Sequence, residues 1–281
     1  MLVELHSHTH YSHGTKVFYD GVNAPEEMVG QAARLGIGAI TITDHNTMEG
    51  FRKAKKDRLE RKHGIRIFPG EEINTNQGHL LAIGIQEVIK PYMDVQETVD
   101  RIRAQGGLAI SPHPFDIKGD GLKADARYCD AIEVFNAINI ERLSNRLSRK
   151  FAEEHGMPVT AGSDAHSVAM IGNGLVRADI DSVDGLIQAI KDHRIEIETQ
   201  YASVQVISDL ALLRLKMSYD YVVNYMEQNY SWPRKSIGKR MLGLVSRSPG
   251  RIDSFFKALS YTAFASVLVY SGARHVARFR V

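Results

Sequence analysis

The first fourteen residues, Met1-Leu-Val-Glu-Leu-His6-Ser-His8-Thr-His10-Tyr-Ser-His13-Gly14, constrain this chain more than any other stretch. A short apolar run (Met1, Leu2, Val3, Leu5) predicts a buried strand, and it ends in four histidines within eight positions. Residues two apart on a strand share a face, so His6 and His8 stand side by side and reach one ion. Such a pair holds a mid-row divalent metal only if carboxylates or further imidazoles arrive from elsewhere in the chain.

Composition narrows what those partners can be. The single cysteine, Cys129, excludes an internal disulfide and multi-thiolate zinc sites, leaving His, Asp and Glu. At 281 residues and 43% hydrophobic content the chain can bury one large core with an appendage. A reducing, cytoplasmic setting fits, and the opening strand, with Glu4 and His6, lacks the basic start and apolar run of a signal peptide. The net charge of +2 hides an asymmetry: residues 201–281 hold 12 Lys/Arg against 4 Asp/Glu, and residues 1–200 hold 23 against 29. The chain reads as a His-rich, mildly acidic body, residues 1–203, and a basic, mainly helical tail, residues 204–281.

Strand and helix signals alternate through the body. Helices are expected over residues 24–36, with Pro25 and acids in the first turn, and over 48–62, 94–105, a long stretch ending at 154, and 183–191. Strands are expected over 38–43, 65–68, 79–85, 108–111, 131–135, 158–160 and 195–199. This order predicts an α/β fold with a parallel sheet and crossover helices. His6/His8, Asp44/His45, Glu72, His113 and Asp164/His166 each follow or end a strand, and in a (β/α) barrel those ends converge on one face.

The remaining histidines provide contrast. His63 and His155 precede a Gly at a helix C-terminus and His193 lies just past one, where a cation suits the helix dipole; these three read as structural. His10 is either a ligand or a loop residue, with the loop favoured. Asp44 either ligates or, as preferred here, orients a ligating imidazole through its second nitrogen. Glu71 and Glu72 compete for one ligand position, and pattern alone does not separate them.

Taken together, His6-Ser-His8-Thr with Ser12-His13-Gly14, Thr43-Asp44-His45, Pro69-Gly-Glu-Glu72, His79-Leu-Leu, His113-Pro, Ile132-Glu-Val-Phe-Asn136 and Gly162-Ser-Asp164-Ala-His166 resemble, in order, the motifs of the PHP (polymerase and histidinol phosphatase) family, over roughly residues 1–200. The resemblance implies a distorted (β/α)7 barrel with a small helical C-terminal extension of the PHP-associated kind. It also implies two or three divalent ions per chain, Mn, Zn or Fe, and hydrolysis of phosphoesters. Carried over by position, His6, His8, Glu72 and Asp164 would hold one ion. Glu72, which the family pattern selects over Glu71, would bridge to a second ion completed by His79 and His113; a third would lie between His13, His45 and His166. Many members have Asp where this chain has His13, and Asp where it has Glu4.

Two or three such ions clamp phosphate oxygens and lower the pKa of a water toward neutrality, so no side-chain nucleophile is needed. Consistently, the chain has no Gly-rich phosphate loop, Gly-x-Ser-x-Gly elbow or Walker pattern. His10, Asp44 or a water on the third ion are candidates for the general acid. Arg177 and Lys118 are candidates for gripping the phosphate, against the alternative of ordinary surface charge. The expected substrate is a small phosphorylated metabolite or nucleotide. In the tail, helices are expected over 208–228, 236–244 and 251–278. Trp232 and Tyr230 near Arg234-Lys235, Lys239-Arg240, Arg247 and Arg251 suggest nucleic-acid binding, set against plain surface charge. Residues 258–273 carry no charge and read first as a packed helix or homo-oligomer interface, with membrane-surface attachment a minor alternative. The rival functions are a nuclease fed by the tail, a histidinol-phosphatase-like enzyme, and a non-catalytic binding module, which the full ligand set disfavours.

Overall fold

The computed structural model describes residues 1–14, 17–247, 250 and 253–278. The body runs β1 (Leu2–Glu4), α1 (Pro25–Arg34), β2 (Ala39–Ile42), α2 (Glu49–Lys56), α3 (Leu59–His63), β3 (Arg66–Asn74), β4 (His79–Ile83), α4 (Val95–Ala104), β5 (Leu108–Ser111), β6 (Ala131–Asn136), α5 (Leu143–His155), β7 (Val159–Gly162), β8 (Gly174–Arg177), α6 (Val183–Lys191) and β9 (Glu196–Thr199). Four helices follow: α7 (Val204–Met217), α8 (Tyr219–Asn229), α9 (Arg234–Val245) and α10 (Asp253–Arg278). Local chemistry starts the helices. Asp94 accepts from the Gln96 N–H at α4, Ser182 from Gly185 at α6 and Ser203 from Val206 at α7, each satisfying a first-turn donor that has no partner within its helix.

The strands form one sheet in the order β7-β6-β5-β4-β3-β2-β1-β8-β9. It curls into a nearly closed barrel: the His8 N–H donates to the Ala165 carbonyl at 2.8 Å and the Ala165 N–H to the His6 carbonyl at 3.1 Å, joining the segments beyond β1 and β7. β1, β2 and β3 are mutually parallel, as are β5, β6 and β7. β2 is buried at all four positions, as a strand covered on both faces must be.

β4 is the distortion. Only residues 75–78 separate it from β3, too short a link for a crossover, so β4 returns antiparallel and also meets β5 antiparallel. Its first residue, His79, therefore lies on the rim where its neighbours end, opposite Asn74. β8 is reversed too, pairing antiparallel with β1 so that Arg177 stands opposite Leu2. The end of β8 thus lies on the far rim.

α6 closes that far end, with Leu186, Ile187 and Ile190 in one cluster with Val3, Leu5, Ile83, Leu108 and Ile110. On the outside, Met28, Val29 and Ala32 of α1 pack with Ile40, Ile42 and Leu59. Leu210, with Val206 and Ile207, brings α7 into the same cluster, so the extension begins as part of the body's own core. α10 lies along α7, where the Ser208 and Ser260 hydroxyls are 2.7 Å apart. Phe256 and Ser271 are buried, while Leu259, Tyr261, Val269 and Tyr270 are exposed.

Several expectations are refined. The helix expected over 48–62 breaks at Arg58, whose φ of 56° is left-handed, giving α2 and α3. The one expected over 208–228 breaks at Ser218. β8 has no counterpart in the expected strands. Arg251 lies outside the described residues. Among the described residues no helix is long and apolar enough to cross a membrane.

Candidate metal centre

Eight of the nine candidate ligands meet at the C-terminal rim. Glu72, on β3, is at their centre. Its Oε2 lies 3.3 Å from His6 Nε2, 3.1 Å from His8 Nε2 and 3.5 Å from His45 Nε2. Its Oε1 lies 3.0 Å from His79 Nδ1 and 3.3 Å from His113 Nε2. One carboxylate thus addresses two imidazole sets with different oxygens. Glu71, one residue earlier on the strand, points away and accepts from the Ile89 N–H at 3.0 Å, so the alternation of β3 separates two acids that pattern could not. Asp164 completes the floor, its Oδ1 3.5 Å from both His6 Nε2 and His8 Nε2.

Four groups of donors come within 4.8 Å: His6, His8 and Glu72; His6, His113 and Asp164; His45, Glu72 and His79; and His8, Asp20, His45 and His166. His113 therefore groups with His6 and Asp164, and His79 with His45. The last group differs from expectation. His13 is exposed, with Nδ1 donating to the Phe18 carbonyl at 3.1 Å, and it belongs to none of the four groups. Asp20 takes its place, with Oδ2 2.8 Å from His166 Nε2 and 3.5 Å from His45 Nε2. The sequence marks Asp20 only as an acid in a polar loop.

The donor set fits divalent ions. Two donors held roughly 2.1 Å from one ion at a right angle are themselves roughly 3 Å apart, close to the contacts around Glu72 and Asp20. Glu72 Oε1 is buried and makes no directed hydrogen bond despite two imidazole nitrogens nearby, as expected of an atom that serves a cation. Three of the imidazoles have the outer nitrogen tied down in the way metal ligands need, whereas Nδ1 of His45 and of His113 is buried without a hydrogen-bond partner. His6 Nδ1 donates to Glu133 Oε1 at 2.9 Å, which leaves Nε2 as the donor facing inward. His166 Nδ1 donates to the Asp164 carbonyl at 2.8 Å, and His8 Nδ1 meets Ser12 Oγ at 3.2 Å. Glu133 Oε2 also accepts from the His113 N–H and from Asn136 Nδ2, both at 2.9 Å, so one buried acid braces two strand ends. In sequence Glu133 is marked by the motif Ile132-Glu-Val-Phe-Asn136 and as an acid within the apolar β6, but with no role assigned. His113 and Asp164 have positive φ (30° and 49°), conformations costly outside glycine that the surrounding contacts hold in place.

Electrostatics agree. Burial raises the Glu72 and Asp164 carboxyls, but the facing imidazoles outweigh it and hold both well below the usual range. Burial disfavours charge on His8 and His113, yet Asp164 and Glu72 at the first and Glu72 at the second raise each to about 9. His45 is pushed down to about 3, chiefly by burial.

A family pattern described as PHP-associated matches residues 142–195, from the start of α5 to just before β9. An uncharacterised protein of Methanocaldococcus jannaschii is 36% identical over 154 residues, 53% of this chain and 89% of that protein. The chain belongs to the PHP family. A 5'-3' exoribonuclease of Salmonella typhimurium is 28% identical over 114 residues, 38% of this chain and 36% of that enzyme. A Bacteroides vulgatus two-domain protein described as containing a PHP-like metal-dependent phosphoesterase shares the fold: TM-score 0.57 at 18% identity, over 75% of this chain and 68% of that one.

Three residues expected to act in the PHP centre stand elsewhere. Arg177, on the far rim because β8 is reversed, is exposed and ion-paired with Glu198. Asp44 does not orient an imidazole: its oxygens accept from the Thr9 N–H at 2.6 Å and the Thr9 hydroxyl at 2.8 Å, which locks the turn after His8. Burial raises its pKa to about 6. His10 packs on Tyr11 and is absent from the cavity wall.

That cavity, about 380 Å³, opens over the centre. Glu72, His79, His113, Asp164 and His166 line it, with Lys118 from the loop after β5 and Arg214 from α7. Lys118 thus stands where the sequence suggested. Arg214, which the sequence reading missed, comes from the extension. No local pattern marks it, because its position follows from how α7 docks.

Proposed function

We propose that this chain is a metal-dependent phosphoesterase acting on a phosphomonoester or phosphodiester of a small metabolite or nucleotide. The observation that carries this reading is the Glu72 carboxylate, whose two oxygens face separate imidazole sets beneath a cavity that also presents Lys118 and Arg214. His6, His8, His45, Glu72, His79, His113, Asp164, His166 and Asp20 would hold the ions. Divalent ions there supply positive charge that polarises the phosphoryl group and eases ionisation of an attacking water. The chain's own groups do the rest. Glu133, Ser12 and the Asp164 carbonyl orient the His6, His8 and His166 imidazoles. Lys118 and Arg214 offset charge on the incoming phosphate. His10 and Asp44 are not among the residues that line the cavity.

The rival reading, an oligonucleotide hydrolase, draws on the likeness to the Salmonella exoribonuclease and on the basic tail. In the tail Lys235 and Lys239 are both paired with Glu227, and α7 walls one side of the cavity; both observations favour a small substrate. The test is phosphate or nucleotide release from phosphomonoesters, cyclic nucleotides and oligonucleotides with Mn, Zn, Fe or Mg supplied separately. Turnover of a small phosphoester is expected, abolished by exhaustive chelation and reduced at least about 100-fold by Glu72→Gln. Turnover that survives chelation, or none on any phosphoester, overturns the reading.

A further inference from the structure

Every metal-ligand candidate lies in the body, residues 1–203, yet the C-terminal extension reaches the centre. Ile207, Leu210, Ala211 and Arg214, all on α7, line the cavity above the ligand cluster. Three contacts bind this part of the chain to the loop that carries Asp20. The Tyr19 N–H donates to Ser218 Oγ at 3.1 Å, the tilted Phe18 and Tyr221 rings have centroids 5.7 Å apart, and Arg214 Nε donates to the Asp20 carbonyl. Leu210 and Ser218 are buried. This wall is built into the body.

Arg214 is the cation that this wall supplies. Its side chain is only 21% exposed, and Nη2 sits 2.7 Å from Asp20 Oδ1. Nη2 is nonetheless buried without a directed hydrogen bond, so the contact is charge against charge rather than a fitted fork. A guanidinium with unused N–H groups at the edge of this cavity suits binding of a substrate's phosphate. Lys118 reaches the same cavity from the loop after β5.

Resting on the phosphoesterase reading, we infer that Arg214 of α7 is a substrate-binding residue that grips a terminal phosphate, which makes the extension a specificity element for small phosphomonoesters. A monoester dianion carries one more ionisable oxygen than a diester, and a cation beyond the metal ligands matches that extra charge. A cavity of about 380 Å³ with α7 as one wall suits a metabolite or mononucleotide rather than a strand threading past.

The experiment compares wild type, Arg214→Ala and Arg214→Lys, each metal-loaded and checked for metal content and thermal unfolding. Calorimetry with inorganic phosphate gives affinity without turnover, and p-nitrophenyl phosphate against bis-p-nitrophenyl phosphate gives the monoester preference. Arg214→Ala is expected to weaken phosphate binding about 10- to 100-fold and lower kcat/KM for the monoester as much. The diester rate should fall markedly less than the monoester rate, at unchanged metal content, and Arg214→Lys should recover part of the loss. Should Arg214→Ala misfold, Arg214→Lys still decides the matter, since a point charge without the fork must bind phosphate measurably less well than wild type. Phosphate affinity unchanged in both variants, or monoester and diester rates falling together with metal content, overturns the inference and leaves Arg214 a brace for Asp20. Arg214-dependent phosphate binding in a protein that hydrolyses no phosphoester would sink the phosphoesterase reading while sustaining the anion site.

Discussion

Arg177 and Arg214 show how little residue type reveals without direction. Arg177 follows a ligand turn in sequence and looked well placed, whereas Arg214 lies 48 positions beyond His166 in an ordinary helical pattern. The reversal of β8 and the docking of α7 exchange their roles. Arg177→Ala is therefore expected to leave KM for any phosphoester unchanged and to shift stability by less than about 1 kcal/mol, because it removes an exposed pair with Glu198; a several-fold rise in KM would contradict its placement. Asp20 and His13 make a second contrast. Asp20→Asn is expected to lower the metal bound per chain, measured by elemental analysis after dialysis, and His13→Ala to leave it at the wild-type level. Burial raises the Asp20 carboxyl, but His166 first, then Arg214 and His45, outweigh this and hold it far below the ordinary range, as befits a permanently charged donor. A loss of metal in His13→Ala would show that the ring swings inward. The His6/His8 pair, His113 and Asp164/His166 were readable because each follows the end of a strand, whereas Glu72 was separated from Glu71 only through the family resemblance. Asp20 was not, since its loop has no period and its partners lie 25 and 146 residues away.

At the scale of elements, strand identity was legible and strand direction only partly so. Apolar runs between helix signals located eight of the nine strands, but β4 is reversed by the shortness of its link to β3, and the unexpected β8 is a short pairing onto β1. His79 was assigned through the family resemblance rather than as a strand end, and the reversal of β4 is the physical reason it reaches the rim. The junction of β7 with β1 and β6 provides a direct test. A Cβ on Gly162 would sit 1.9 Å from Glu133 Oε1 and 2.8 Å from His6 Cβ, both buried and the first hydrogen-bonded to His6, so the close approach of β7 requires glycine. Gly162→Ala is expected to cost about 1–3 kcal/mol in unfolding free energy and to weaken metal binding about 10- to 100-fold by displacing the Glu133–His6 hydrogen bond. Wild-type metal affinity in a folded Gly162→Ala protein would show that this bond does not govern the centre. In the far end of the barrel, Leu186→Ala should cost about 2–5 kcal/mol by unfolding, yet leave metal affinity intact, since α6 lies away from the rim.

For the molecule as a whole, the centre couples folding, metal and protons. Without metal, the buried carboxylates of Glu72 and Asp164 are balanced by protonated His6, His8 and His113, while Arg214 faces Asp20. His6 is held well above its ordinary value because Asp164, Glu133 and Glu72 outweigh the cost of burial, and His8 and His113 are raised to about 9. A histidine whose pKa is higher folded than unfolded adds stability that is fully present below about 6.5 and disappears as pH climbs through about 9. Metal-free protein should therefore lose stability across that window. Bound ions need neutral imidazole and replace those protons as the balancing charge, so loaded protein should not show the same loss. Two outcomes follow from this one balance. At pH 7, metal titration by calorimetry in buffers of different ionisation enthalpy should show proton release, and the count should fall toward zero as pH passes about 9. The Tm gap between loaded and metal-free protein should widen from pH 6.5 to 9. No proton release at pH 7, or a gap that narrows with rising pH, would mean that the imidazoles around Glu72 are already neutral, and that the rim is held together by something other than a charge balance prepared for cations.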